Sequence, residues 1–298
     1  METPADSSRF SLPPIVTYYG VAGRKVAVVK FCWQGKSHVE MGTECQDFAD
    51  IFPSSPNGDS VRLSLVVADG VGTRSRSRKG AEFACFTIGK TFSDVMFEGD
   101  RLSDRFARAR CKFIDLCARD ASNYEGEHED KGEENTGNNK TPKDNTVNEY
   151  ATTALVLCLE AQGYWAASVG DGAIYGLTNG GSSARLLTKI NREGFSNEVR
   201  PLTNDQWQRS YDESHPEFIA DESMQGFCLM TDGLSESIGD AGIYFGSIWP
   251  ELKQRLNDRT ALTEYADAYC RYWEDRNFSD DDKTLVAVFI DPEGDADV

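Results

Sequence analysis

Three times in this chain an apolar run ends on an aspartate that is followed at once by glycine. Leu63-Ser64-Leu65-Val66-Val67-Ala68 leads into Asp69-Gly70-Val71-Gly72. Tyr164-Trp165-Ala166-Ala167-Ser168-Val169 leads through Gly170 into Asp171-Gly172, and Phe227-Cys228-Leu229-Met230-Thr231 leads into Asp232-Gly233. Each run has the length and side-chain content of a buried or half-buried strand. One Asp-Gly behind a strand is most simply a turn, because glycine accepts positive φ and aspartate favours turns. Three of them constrain the chain further. Strand ends can bring their side chains together, and carboxylates that meet repel one another unless a cation neutralises them. Hard divalent cations do this with oxygen ligands.

Two more acidic stretches flank the set, Glu44-Cys45-Gln46-Asp47 upstream and Asp280-Asp281-Asp282-Lys283-Thr284 downstream. Along the chain the pattern predicts strands over 15–19, 25–31, 48–52, 61–68, 151–159, 164–169, 173–177, 227–231 and 284–290, with a weaker one at 185–187. Apolar residues at helical spacing predict helices over about 79–97 and 102–118, then over 248–256 and 262–273. Strands in groups broken by paired helices indicate an α+β fold and not alternating βα units. The landmarks run from end to end, so one domain is expected over 13–292, between tails at 1–12 and 293–298. The stretch from Ser122 to Asn148 is rich in Asn, Glu, Lys and Gly and is expected to be an exposed polar insertion. Residues 189–216 have little periodicity and are a candidate loop.

Acidic residues number 49 against 31 basic ones, a net charge of −18. That balance argues against nucleic acid or an anionic membrane as partner, since both require basic surface. The eight cysteines form no Cys-x-x-Cys pair. Several lie inside apolar runs and read as reduced core residues. The first fourteen residues lack the apolar core of a signal peptide, and no run approaches the roughly 20 apolar residues of a membrane span. A cytoplasmic setting is the expectation.

The order of the acidic landmarks resembles that of the metal-dependent Ser/Thr protein phosphatases of type 2C, the PPM family, especially its bacterial branch. That pattern runs Gln-Asp, Asp-Gly-x-Gly, a Thr-Thr strand, Val-Gly-Asp, Asp-Gly-Leu and Asp-x-x-Thr. All of these occur here in that order, from Gln46 to Thr284. The resemblance implies two antiparallel sheets stacked face to face, helices on both outer faces, and a metal cleft between the sheets at one end. It implies two divalent cations, Mn2+ or Mg2+, with Asp47, Asp69, the Gly70 carbonyl and Asp232 as ligands and Asp69 bridging. Asp281-Asp282-Lys283-Thr284 aligns without a gap onto the family's Asp-Asn-x-Thr/Ser. Asp281 then takes the ligand position, and Asp282, at the asparagine position, is the alternative. Asp171 matches a position tied to a weaker third metal.

The implied activity is hydrolysis of phosphoserine or phosphothreonine in a protein substrate by metal-activated water, with a cognate protein kinase as expected partner. Such hydrolysis is among the slowest uncatalysed reactions, and two cations can both acidify water and clamp the phosphate. Departures from the family pattern leave gaps. A phosphate-binding arginine is replaced by Gly42, and a histidine after the first Asp-Gly by Val71. His38 could fill one of these roles, or be a structural histidine. Arg74 and Arg76, leading into Arg78 and Lys79, could gather phosphate, or be a solvated basic loop. The alternative function is a phosphatase-fold scaffold with a lost metal site, motivated by the missing arginine.

Overall fold

The computed structural model describes residues 10–21, 23–55, 59–60, 62–94, 101–128, 146–160, 163–188, 200–214, 224–236, 238–276 and 278–291. Twelve strands in two sheets make its centre. They are β1 (Phe10–Val21), β2 (Arg24–Trp33), β3 (Phe48–Pro53), β4 (Asp59–Ser60), β5 (Arg62–Ala68), β6 (Ala154–Glu160), β7 (Gly163–Val169), β8 (Ala173–Thr178), β9 (Ser183–Leu186), β10 (Tyr211–Ser214), β11 (Gly226–Met230) and β12 (Lys283–Ile290). One sheet has the order β4-β1-β2-β12-β11-β8-β9, the other β10-β7-β6-β5-β3. Pairing is antiparallel except for a two-residue parallel contact of β1 with β4.

Alternation along the strands builds the layers. On β2, Val26, Val28 and Cys32 face the second sheet, while Ala27, Val29, Phe31 and Trp33 face helices. On β5, Leu63, Leu65 and Val67 point between the sheets, and Val66 and Ala68 point the other way. Strands buried on both faces need apolar residues at nearly every position, which is why these runs are almost continuous. Helices α2 (Ser77–Ser93) and α3 (Leu102–His128) cover the five-stranded sheet. Helices α5 (Ala241–Gln254) and α6 (Arg259–Asp275) cover the seven-stranded one. Short helices α1 (Lys36–Met41) and α4 (Asp232–Ser235) sit at strand ends. The result is the expected α+β sandwich, two sheets between two helical layers. Among the described residues no helix is long and apolar enough to cross a membrane.

Several boundaries differ from the sequence expectation. Helix α3 continues to His128, so residues 122–128 of the polar stretch are helical; residues 129–145 lie outside the described residues. Strand β1 begins at Phe10, inside the expected tail. Helix α5 starts at Ala241, seven residues earlier than its apolar stripe suggested, because Asp240 caps it by accepting from the Ile243 N–H at 3.0 Å. Its Pro250, which has no N–H to donate to the preceding turn, lies inside the helix. Strand β10 and helix α1 were not anticipated. Of the candidate loop at 189–216, residues 189–199 and 215–216 lie outside the described residues, and 200–214 carry a 3-10 turn and β10. All eight cysteines are free; seven are buried and Cys111 is exposed.

Candidate metal centre

Antiparallel pairing explains how distant carboxylates meet. Phe48 pairs with Ala68, so Asp47, just before β3, and Asp69, just after β5, face each other across neighbouring strands. Met230 pairs with both Leu285 and Ala173. That register gathers Asp232, the Asp281-Asp282 turn and Asp171 at the same end of the seven-stranded sheet. Asp171 lies where the chain crosses from β7 in one sheet to β8 in the other. Carboxylate oxygens of Asp69, Asp171 and Asp232 lie within 4.8 Å of one another, as do ligand atoms of His38, Asp281 and Asp282.

Glycine permits the crowding. A Cβ on Gly70 would lie 2.8 Å from the Ser77 backbone and 2.9 Å from the Gln46 carbonyl oxygen. A Cβ on Gly233 would strike the Asp282 carbonyl oxygen at 1.9 Å. These glycines let one acidic turn rest on the backbone of the next. The Asp69 turn is fixed by its neighbour strand: the Thr153 N–H and the Thr152 hydroxyl both donate to the Asp69 carbonyl at 2.8 Å, and the Asp69 N–H donates to Thr153 Oγ1 at 3.1 Å.

The electrostatics are those of a site short of positive charge. Burial and then the charge of Asp282 push the Asp47 carboxyl well above the usual carboxylate range. Burial, then Asp232 and Asp47, do the same to Asp69. Asp232 is pushed up to about 7 by burial, then by Asp171 and Asp281. Asp47 Oδ2 accepts from the Thr231 hydroxyl at 2.8 Å, but its Oδ1 is buried with no partner among the described residues. An orphaned carboxylate oxygen among mutually repelling carboxylates, all hard oxygen donors, fits a divalent cation.

The two acids of the last motif have different occupations. Asp282 Oδ1 accepts from the Gly35 N–H at 2.7 Å, and its Oδ2 accepts from the Gln46 N–H at 2.5 Å and faces His38 Nδ1 at 2.7 Å. It is 2% exposed, with both oxygens taken. Asp281 uses Oδ1 for the Asp282 N–H at 2.8 Å and lies at the solvent edge. Of the two, Asp281 is the one with an oxygen to spare.

His38, on α1, is buried, and its hydrogen bond to Asp282 raises its pKa against the opposing effect of burial. Its Nε2 faces the turn after Asp69, 4.0 Å from where a Cβ on Gly72 would sit. The basic turn is occupied elsewhere. Arg74 faces Glu149 at 3.6 Å, and Arg76 hydrogen-bonds Tyr150 and faces Asp120 at 3.6 Å. Arg78, read from the sequence only as a member of the basic cluster, donates to the carbonyls of Cys45 and Asp47 and so holds the backbone behind the first acid. No local signal could have found it, since the bonds span 31 to 33 residues.

The profile of the family described as Protein phosphatase 2C matches residues 34–287. No curated protein matches the chain. Among solved structures, a bacterial serine phosphatase is similar with a TM-score of 0.54 at 15% identity, covering 90% of this chain and 98% of its own. The serine/threonine phosphatase Stp1 from Staphylococcus aureus gives 0.51 at 15%, covering 90% and 95%. RsbX in complex with magnesium gives 0.50 at 12%, covering 93% and 100%. At these identities the structures speak for the fold; the profile, spanning most of the chain, speaks for descent. The chain belongs to the protein phosphatase 2C family, the metal-dependent protein phosphatases.

Proposed function

We propose that the acidic end of the sandwich holds two divalent cations, Mn2+ or Mg2+, through Asp47, Asp69, the Gly70 carbonyl, Asp232 and Asp281, with Asp171 beside a weaker third. The observation that carries this reading is the meeting of Asp69, Asp171 and Asp232 oxygens within 4.8 Å, in a region with an orphaned Asp47 oxygen. Cations bound there supply charge against the phosphoryl oxygens and lower the pKa of water, which is what phosphomonoester hydrolysis requires. The chain supplies the donor set and holds it in advance of binding, through the threonines on Asp69 and Thr231 on Asp47. Asp282 orients the imidazole of His38 through Nδ1, leaving Nε2 directed at the Asp69 turn. These contacts support His38 as the group that would give a proton to the departing oxygen. Arg74 and Arg76 face Glu149 and Asp120 at 3.6 Å, so a phosphate that they gathered would compete with these acids.

The substrate class that follows is phosphoserine or phosphothreonine in proteins, made by a cognate kinase, in a cytoplasmic setting. Against the scaffold alternative, which rests on the missing arginine alone, a site that has lost its metals has no use for buried carboxylates that destabilise one another. The test is hydrolysis of an aryl phosphate and of a phosphothreonine peptide, with Mn2+ and with chelator. Turnover of both substrates that vanishes with chelator is expected. Turnover indifferent to chelator would overturn the reading.

A further inference from the structure

The Asp69 turn has a local bond of its own, Arg74 N–H donating to the Val71 carbonyl at 2.9 Å, but most of its support comes from far along the chain. It leans on residues 148–153, a strap that precedes β6. Val71 N–H donates to the Ala151 carbonyl at 3.0 Å, Arg76 N–H to the Glu149 carbonyl at 3.1 Å, and Thr152 and Thr153 clasp the Asp69 peptide. The side chain of Glu149 accepts from the Ser75 N–H at 3.1 Å and from its hydroxyl at 2.9 Å. A strap that carries a candidate metal turn must itself be anchored.

Its anchor is Tyr150. The side chain is fully buried, stacks on Phe83 of α2 at 6.0 Å between ring centres, and its backbone fits against Gly80, where a Cβ would come within 2.1 Å of the Tyr150 carbonyl oxygen. The phenol donates to Asp120 Oδ2 at 2.5 Å and accepts from Arg76. Asp120, on α3, is held in turn by Lys79 Nζ at 2.6 Å. Three elements, α2, α3 and the strap, thus converge on one phenolic oxygen. None of these groups lies in either of the two clusters of potential ligands.

We propose that Tyr150 is a positioning residue for the metal turn, acting through the strap, with Asp120 as its support. The proposal rests on the metal-centre reading above. When the phenol bonds are lost, the strap keeps its shape but loses its fixed starting point. The Asp69 carboxylate and the Gly70 carbonyl are then no longer presented in one place, and metal uptake must bear the cost of ordering them.

The test is calorimetric titration of Mn2+ into metal-stripped protein. Tyr150→Phe changes no charge, so a change in affinity cannot come from the local field. It is expected to bind Mn2+ about tenfold more weakly, the scale on which supports of metal ligands act. Asp120→Asn should shift affinity in the same direction. Asp267→Asn, which removes an ion pair with Arg271 within α6, should leave it unchanged. Should Tyr150→Phe not fold, Glu149→Gln tests the same strap from a side chain 35% exposed, and weaker Mn2+ binding is again expected. A Tyr150→Phe protein with lowered melting temperature and undiminished Mn2+ affinity would overturn the proposal, since that is what a purely structural tyrosine does. If the unsubstituted chain takes up no Mn2+, the metal-centre reading and this proposal fall together. If it binds and the variants bind equally well, only this proposal falls.

Discussion

Where the family pattern has asparagine, this chain has Asp282, and its surroundings give the reason. Two backbone N–H groups and His38 Nδ1 all point at its oxygens. An asparagine there would turn an NH2 toward one of these donors. Asp282→Asn should therefore cost about 2 kcal/mol of stability, the scale of a hydrogen bond to a charged group, while Asp281→Asn should cost little stability and lose more Mn2+ affinity. Denaturant unfolding and Mn2+ titration of both variants decide this; an Asp282→Asn protein of unchanged stability would show that the carboxylate is not a scaffold. The resemblance, with asparagine at this position, implies a mild Asp282→Asn; the partner that makes the change harmful, His38, lies 244 positions away on a short helix with no side-chain cap. The Asp-Gly turns were readable, since a carboxylate after an apolar run has few ways to be placed. What their glycines do was not: they make room for the backbone of another turn.

The long helices and most strands were legible because their apolar periodicity is driven by burial on a sheet. Their ends were less so. Helices α5 and α6 begin at Asp240 and Asp258, whose side chains accept from the third residue on, a signal present in the sequence but weaker than the apolar stripe. Helix α3 outruns its stripe by a polar extension with nothing in the pattern to end it. One buried cation joins α2 to α3 in a way no periodicity conveys. Arg105 is 2% exposed and donates through Nε and Nη2 to the Thr91 carbonyl at 2.9 and 2.6 Å, and to Asp94, at the C-terminal end of α2. Carbonyls there lack helical partners and carry the negative end of the helix dipole. Arg105→Ala strips both guanidinium bonds from the buried Thr91 carbonyl, while Asp94 keeps the donor it has in Arg62, and should cost about 2 kcal/mol, read as a lowered urea midpoint with unchanged slope. A shift no larger than that of an exposed arginine, such as Arg259→Ala, would count against this role.

At the scale of the molecule, the sandwich was foreseen through the resemblance, since periodicity reached only the α+β class. The sheet order places every acidic landmark at one end, and that arrangement has a pH signature. Asp47, Asp69 and Asp232 have raised pKa values in the folded, metal-free protein, Asp232 near 7, and His38 is raised too. A group whose pKa is raised by folding adds stability below its unfolded value and loses it as pH climbs through the folded one. Asp120, held low despite burial by Lys79 and Tyr150, and Glu149, held low by the bonds from Ser75, act in the opposite sense and lose their contribution in acid. The melting temperature in chelator should therefore fall from about pH 5 to pH 8, and Mn2+ should raise it more at pH 8, where protons no longer compete for the carboxylates. A melting temperature in chelator that climbed steadily over that range would contradict the crowded-carboxylate account. The central claim is that these carboxylates hold the cations on which catalysis depends. Its most direct measurement is aryl-phosphate turnover against Mn2+ concentration for the unsubstituted chain, Asp69→Asn and Asp232→Asn, with metal-free stability recorded alongside. The account predicts a Mn2+ requirement at least tenfold higher in both variants, with metal-free stability level or increased because a repelling charge is gone. Full activity of both variants at the original Mn2+ concentration would contradict it.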